Sequence, residues 1–156
     1  MGMKGNEIEG REEGAAPKVD LGIEKKNGDF VRKLIEDGRV DTVHDVSDGG
    51  LLVAIAEMAM PRGIGASIGL AGLPDEIAFW FGEDQARYVI AAPFAEADKI
   101  VQEARALYIP VAELGKTGGD AVTLEDKDSV KVAALRDGFE RWFPNYMSGE
   151  EIPVTN

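Results

Sequence analysis

The sequence predicts an α+β fold, an α/β sandwich in which a mostly antiparallel, mixed sheet is covered by helices. Two observations carry this. Short β-branched segments alternate with segments of helical period along the chain, each closed by Gly or Pro. In addition, Leu51 to Met60 is apolar nearly all round, so a helix formed there has to be covered on most sides.

The elements follow in order. Met1 to Val19 is polar, rich in Gly and Glu and without period, and reads as a flexible linker or chain end. From Asp20 the apolar residues Leu21, Phe30, Val31, Leu34 and Ile35 fall at helical spacing, and Gly38 supplies a stop, predicting a helix over Leu21 to Asp37. Thr42 to Val46 reads as a buried strand. Leu51 to Met60 is the apolar helix, with Ser47 and Asp48 as possible N-caps and Pro61 as terminator. Gly65 to Leu70 is a further strand, and Pro74 to Trp80 a turn followed by a short amphipathic piece.

Arg87 to Ala92 is a strand by its Tyr, Val and Ile content, stopped by Pro93. A helix over Phe94 to Leu107 places Ile100, Val101, Ala104 and Leu107 on one face. Val111 to Leu114 and Ala121 to Leu124 are predicted as two strands joined by a hairpin-like turn over Gly115 to Asp120. The last helix carries a stripe of Leu135, Phe139, Trp142, Phe143 and Tyr146, which reads as core in preference to a docking surface. Residues 20–149 are expected to form a single domain, followed by a tail over 150–156.

Composition narrows the function. With 17 Lys plus Arg against 29 Asp plus Glu, the chain carries a formal charge of -12, which repels nucleic acid. There is no Cys and one His, which excludes disulfides, thiolate metal sites, a Cys nucleophile and a multi-histidine centre. No apolar run approaches the roughly 20 residues of a membrane span. These features suit a soluble protein of a reducing cytoplasm.

The stretch with chemical content is His44-Asp45-Val46-Ser47-Asp48-Gly49-Gly50-Leu51, running from a strand end into a helix start. Helix N-termini present unpaired N–H groups and partial positive charge, and two glycines let a phosphate come close. Two carboxylates beside a phosphate call for a cation, so the pattern points to a Mg2+-nucleotide, with Gly49 and Gly50 letting a phosphate approach the backbone. The residues alone favour a structural reading: Asp48 as a cap, Ser47 as a turn former, and the glycines as a close helix-strand packing point. His44 has no Ser or Cys partner and receives no catalytic role. A second cluster, Phe81-Gly82-Glu83-Asp84-Gln85-Ala86-Arg87, precedes a strand and could face a ligand, but by itself reads more simply as a solvated loop. Gly115-Lys116-Thr117 lacks the preceding Gly and the following helix of a phosphate-binding loop.

Taken in order, Val19-Asp20-Leu21, Asn27-Gly28-Asp29-Phe30-Val31, Val43 to Leu51, Ala56-Glu57-Met58-Ala59, Phe81-Gly82-Glu83-Asp84-Gln85 and Thr117-Gly118-Gly119-Asp120 resemble the end of the synthetase subunit of phosphoribosylformylglycinamidine synthase. The resemblance runs from about Ile8 to Gly149 and corresponds to the last quarter of that subunit. It implies the C-terminal domain fold of the aminoimidazole ribonucleotide synthetase superfamily. The activity implied is an ATP-dependent ligase of de novo purine synthesis, converting formylglycinamide ribonucleotide and glutamine-derived ammonia to the amidine. It implies Mg2+ and ATP or ADP as cofactors. The partners implied are the remaining synthetase domains, a glutaminase subunit and a small accessory subunit. The family's catalytic His lies in a part this stretch does not match, so no catalytic residue is expected here and the stretch alone is expected to be inactive. Asp45 and Ser47 match positions that touch the Mg2+ and phosphates of an auxiliary nucleotide, and Glu83 and Gln85 match a Glu-x-Gln loop that elsewhere in the family contacts substrate. A free-standing nucleotide-binding or interaction module is the alternative.

Overall fold

The computed structural model describes residues 19–69, 73–125 and 127–149. The expected flexible segment, apart from Val19, and the tail 150–156 lie outside the described residues. The chain divides into two compact units, one comprising residues 1–58 and 70–114, the other residues 59–69 and 115–156.

In the first unit, helix α1 (Leu21–Glu36) starts where the Asp20 carboxylate accepts from the N–H groups of Gly22 and Ile23 at 2.9 and 3.0 Å. It ends at Gly38, which adopts a positive φ of 66° while the Arg39 N–H returns to the Leu34 carbonyl. Strand β1 (Thr42–Asp45) follows, then helix α2 (Gly50–Ala59), whose last residue falls in the second unit. Helix α3 (Glu76–Phe81) is short and capped by Asp75. Strand β3 (Tyr88–Ala91) pairs antiparallel with β1, Thr42 opposite Ala91 and Asp45 opposite Tyr88. Helix α4 (Phe94–Ala106) completes the unit.

The core of this unit joins Leu34 of α1, Val40 of the loop between α1 and β1, and Ile100 of α4, with Phe30, Val43, Ile90 and Ala92 packed against them. Phe30 and Leu34 lie one helical turn apart, so both face the β1–β3 pair. Arg39 bonds Glu96 and Glu103 of α4 at 3.1 and 2.6 Å, tying the loop after α1 to α4.

The second unit is a four-stranded sheet in the order β4-β2-β5-β6, built from β2 (Ala66–Ile68), β4 (Gly115–Thr117), β5 (Ala121–Leu124) and β6 (Asp128–Lys131). Strand β2 runs antiparallel to β4 and parallel to β5, and β6 is antiparallel to β5. Helix α5 (Val132–Ser148) leads away from β6. The α+β class and the mostly antiparallel, mixed pairing are therefore as expected, with the described strands shared between two sheets.

Three expectations are corrected. Val111 to Leu114 is not a strand: Pro110 has no N–H to give a ladder, and pairing with β2 begins only at Gly115, where a Cβ would lie 2.0 Å from the Ser67 carbonyl oxygen. The Gly115 to Asp120 segment does not close a hairpin either, because β2 inserts between β4 and β5. Strand β6 was not foreseen, and the stripe of α5 is not core. Phe139, Trp142, Phe143 and Tyr146 are 52 to 68 % exposed. At its start α5 buries Val132 and lays Arg136 on the Met60 carbonyl, but its 17 residues reach about 25 Å while β5 and β6, four residues each, reach about 13 Å. Most of the helix outruns the strands it follows.

Candidate functional site

The site grows from the end of β1. Val46 is buried and extends the ladder by donating its N–H to the Arg87 carbonyl at 2.9 Å. The chain then reverses over Ser47 to Gly50, closed by the Gly50 N–H on the Ser47 carbonyl at 3.1 Å. Gly49, third in the turn, has φ 86°, the conformation a type II turn requires there. Gly50 also has a positive φ, 78°, and a Cβ on it would lie 2.5 Å from the backbone of Phe81. The paired glycines thus shape a turn and let α2 meet the end of α3, a helix-helix approach where the structural reading supposed a helix-strand one.

Against this turn lies the loop that leads from α3 into β3. The Glu83 carboxylate accepts the Gly49 N–H at 2.9 Å, joining residues 34 apart in sequence. Arg87 holds the other side: its guanidinium donates to the carbonyls of Phe79 and Gly82 at 3.0 and 3.4 Å and stacks over the Phe79 ring at 5.0 Å. Burial lowers the Arg87 pKa from its ordinary value, and the nearby Asp84 opposes that shift. Ala86 takes a positive φ of 63°, uncommon for a residue with a Cβ, and its carbonyl accepts from the Asn27 side chain at 3.0 Å.

These segments enclose a cleft of about 450 Å3, bordered among others by Glu24, Asp45, Ser47, Asp48, Glu83 and Gln85. Four predicted site residues, Asp45, Ser47, Glu83 and Gln85, therefore share one cleft although the sequence separates them by almost forty positions. Gly49 and Gly50 stand behind it. Both of their N–H groups already have acceptors, Glu83 and Ser47, so a phosphate reaching Gly49 would have to displace the Glu83 carboxylate. Glu24, Ala86, Arg87 and Tyr88 were not foreseen as cleft residues. Ala86 and Arg87 stood within the quoted cluster, which was the available signal for them.

Electrostatically the cleft is acidic: Glu24, Asp45, Asp48 and Glu83 face it against the single guanidinium of Arg87. Among the described residues no three His, Cys, Asp or Glu side chains form a group able to hold a metal. Mg2+ commonly takes one or two carboxylates and completes its shell with water and phosphate oxygens, so Asp45, with its side chain 69 % exposed, suits an ion that arrives with a nucleotide. His44 is engaged structurally: its Nδ1 lies 2.6 Å from the Asp45 carbonyl, an acceptor, and its Nε2 lies 3.3 Å from the Glu57 carboxylate on α2. Among the described residues no helix is long and apolar enough to cross a membrane.

The sequence matches the family described as "AIR synthase related protein, C-terminal domain" over residues 2–127. It is 57 % identical over 139 residues to phosphoribosylformylglycinamidine synthase subunit PurL of Azorhizobium caulinodans, covering 88 % of this chain and 19 % of that protein. It is 50 % identical over 147 residues to the same subunit of Rhizobium meliloti, covering 94 % of this chain and 20 % of that one. The chain thus spans about a fifth of the length of these curated relatives.

Three solved Thermotoga maritima structures share the fold at 20 % identity. PurL complexed with FGAR has a TM-score of 0.68, covering 80 % of this chain and 23 % of that one. The PurLQS structure reaches 0.69, with 78 % and 23 % covered. PurL complexed with ADP reaches 0.62, with 72 % and 21 % covered. The resemblance drawn from the motifs is borne out, and the chain belongs to the family of AIR synthase related proteins, whose C-terminal domain it carries.

Proposed function

We propose that this chain acts as the C-terminal domain, residues 20–149, of the synthetase subunit of phosphoribosylformylglycinamidine synthase. That enzyme is an ATP-dependent C–N ligase converting formylglycinamide ribonucleotide and glutamine-derived ammonia to the amidine in the cytoplasm. The observation that carries the reading is the 57 % identity to a PurL subunit over 88 % of the chain. Similar Thermotoga maritima structures, PurL complexed with FGAR, PurL complexed with ADP and PurLQS, are in keeping with the substrate, the nucleotide and the expected glutaminase and small accessory partners.

Within this reading the cleft is the phosphate-facing edge of an auxiliary Mg2+-nucleotide site. Asp45 would hold the metal and the Ser47 hydroxyl would contact a phosphate. Mg2+, when bound, neutralises phosphate charge that the surrounding carboxylates would otherwise repel. Glu83 keeps the turn in shape through Gly49 and yields that N–H when a phosphate enters; Gln85 stands beside it as a further polar contact. No catalytic residue is assigned to this chain, so chemistry belongs to the rest of the synthetase.

The test is amidine formation from formylglycinamide ribonucleotide, ATP, Mg2+ and ammonia, measured for this chain and for the longer synthetase that contains it. Product is expected from the longer protein alone. Turnover by this chain would overturn the assignment of chemistry elsewhere, and none from the longer protein would favour a free-standing nucleotide-binding or interaction module.

A further inference from the structure

The apolar face of α5 is the largest feature that the cleft does not use. Phe139, Trp142, Phe143, Tyr146 and Met147 recur at helical spacing and are each 52 to 68 % exposed. Trp142 stacks on Tyr146 at 5.5 Å with planes 8° apart, so the face is flat and ordered within the helix itself. Contiguous exposed aromatics of this kind mark an interaction surface. Beyond Arg136, moreover, the described residues of the helix are exposed, apart from the half-buried Asn145, and a free helix of about a dozen residues is marginal in water. A covering partner would supply the missing support.

Two observations choose that partner. The general family match stops at residue 127, before α5, whereas the match to the Rhizobium meliloti subunit covers 94 % of the chain, too large a share to leave out the 17 residues of this helix. Helix α5 therefore goes with the long synthetase subunits, about four fifths of whose length lies outside the matched part. Pairing with a second copy is opposed by the net charge of -12 on each. We infer that the aromatic face of α5 docks against an apolar surface of the synthetase polypeptide lying outside this sequence. This rests on the function proposed above.

The test places the photo-crosslinker p-benzoylphenylalanine in the longer synthetase, as Phe139→p-benzoylphenylalanine and, in a second variant, Tyr146→p-benzoylphenylalanine, and maps the product by mass spectrometry. Both sites are exposed in this chain, so neither change should disturb its folding. The expected result is an intramolecular crosslink to a segment outside this sequence from at least one position. A crosslink between two copies, or none above background from either, overturns the inference. Amidine formation by the same preparations reports separately on the ligase reading: activity without crosslinks sinks the docking surface alone, and crosslinks without activity sink the ligase alone.

Discussion

Helices α1 and α5 are nearly equal in length, 16 and 17 residues, and both carry an apolar stripe at helical spacing, yet α1 buries Val31 and Leu34 of its stripe while the aromatic residues of α5 lie at the surface. In α1, Leu34 is 1 % exposed between β1, β3 and α4, whereas in α5 the aromatic residues meet solvent. The difference teaches that periodicity reports a face and not its cover. Cover depends on what else the polypeptide brings to that side, and α1 has a two-stranded sheet and a second helix to lean on.

That contrast can be broken by substitution. The largest effect is expected from Leu34→Ala, which should lower stability by about 2–5 kcal/mol by opening a cavity in a filled core, read from the urea midpoint of this chain. A loss below about 1 kcal/mol would mean that the core of the first unit is not where the packing puts it. Next comes Gly50→Ala, expected to cost roughly 1–3 kcal/mol, since the new Cβ meets the Phe81 backbone at 2.5 Å and the residue keeps φ 78°. An unchanged midpoint would show that the turn relaxes freely.

Smaller is Asp20→Ala, which removes the cap of α1 and should cost about 1 kcal/mol. Phe139→Ala and Trp142→Ala should each change the midpoint of this chain by less than about 1 kcal/mol, because neither leaves a cavity. A core-sized loss in either would restore the view of α5 as buried.

The gentlest probe is acid. Hydrogen bonds from Lys99 and then Arg39 hold the Glu96 carboxyl below its usual value. Its contribution is therefore full above the unfolded carboxylate pKa of about 4.3 and is lost as pH falls through the lower folded value. Glu96→Gln should flatten the fall of the midpoint below about pH 4; an unaltered profile would remove this pair from the account.

Much of the first unit was legible because its signals are local. Asp20 and Gly38 bracket α1, Pro93 separates β3 from α4, and Tyr88 to Ile90 are strong strand formers. The second unit was less so. Strand β6 is Asp-Ser-Val-Lys, exposed at all four positions, with no alternation of apolar residues to announce it, and the insertion of β2 between β4 and β5 is a long-range pairing that no local pattern encodes. At the cleft, Asp45, Ser47, Glu83 and Gln85 could be named from their motifs. The bond between Glu83 and the Gly49 N–H could not, because it depends on where two distant loops meet. Nor does an alanine give warning that Ala86 adopts a left-handed backbone.

The central claim is that this chain supplies one side of a Mg2+-nucleotide site whose remainder lies in the longer synthetase. Calorimetric titration of ADP with Mg2+ into this chain, the longer synthetase and its Asp45→Asn variant tests it most directly. Binding is expected in the longer synthetase only, lost on Asp45→Asn together with roughly 2.7 kcal/mol of ligand-linked stability at ADP a hundredfold above its dissociation constant. Tight binding by this chain alone, or undiminished binding by the Asp45→Asn variant, would contradict it.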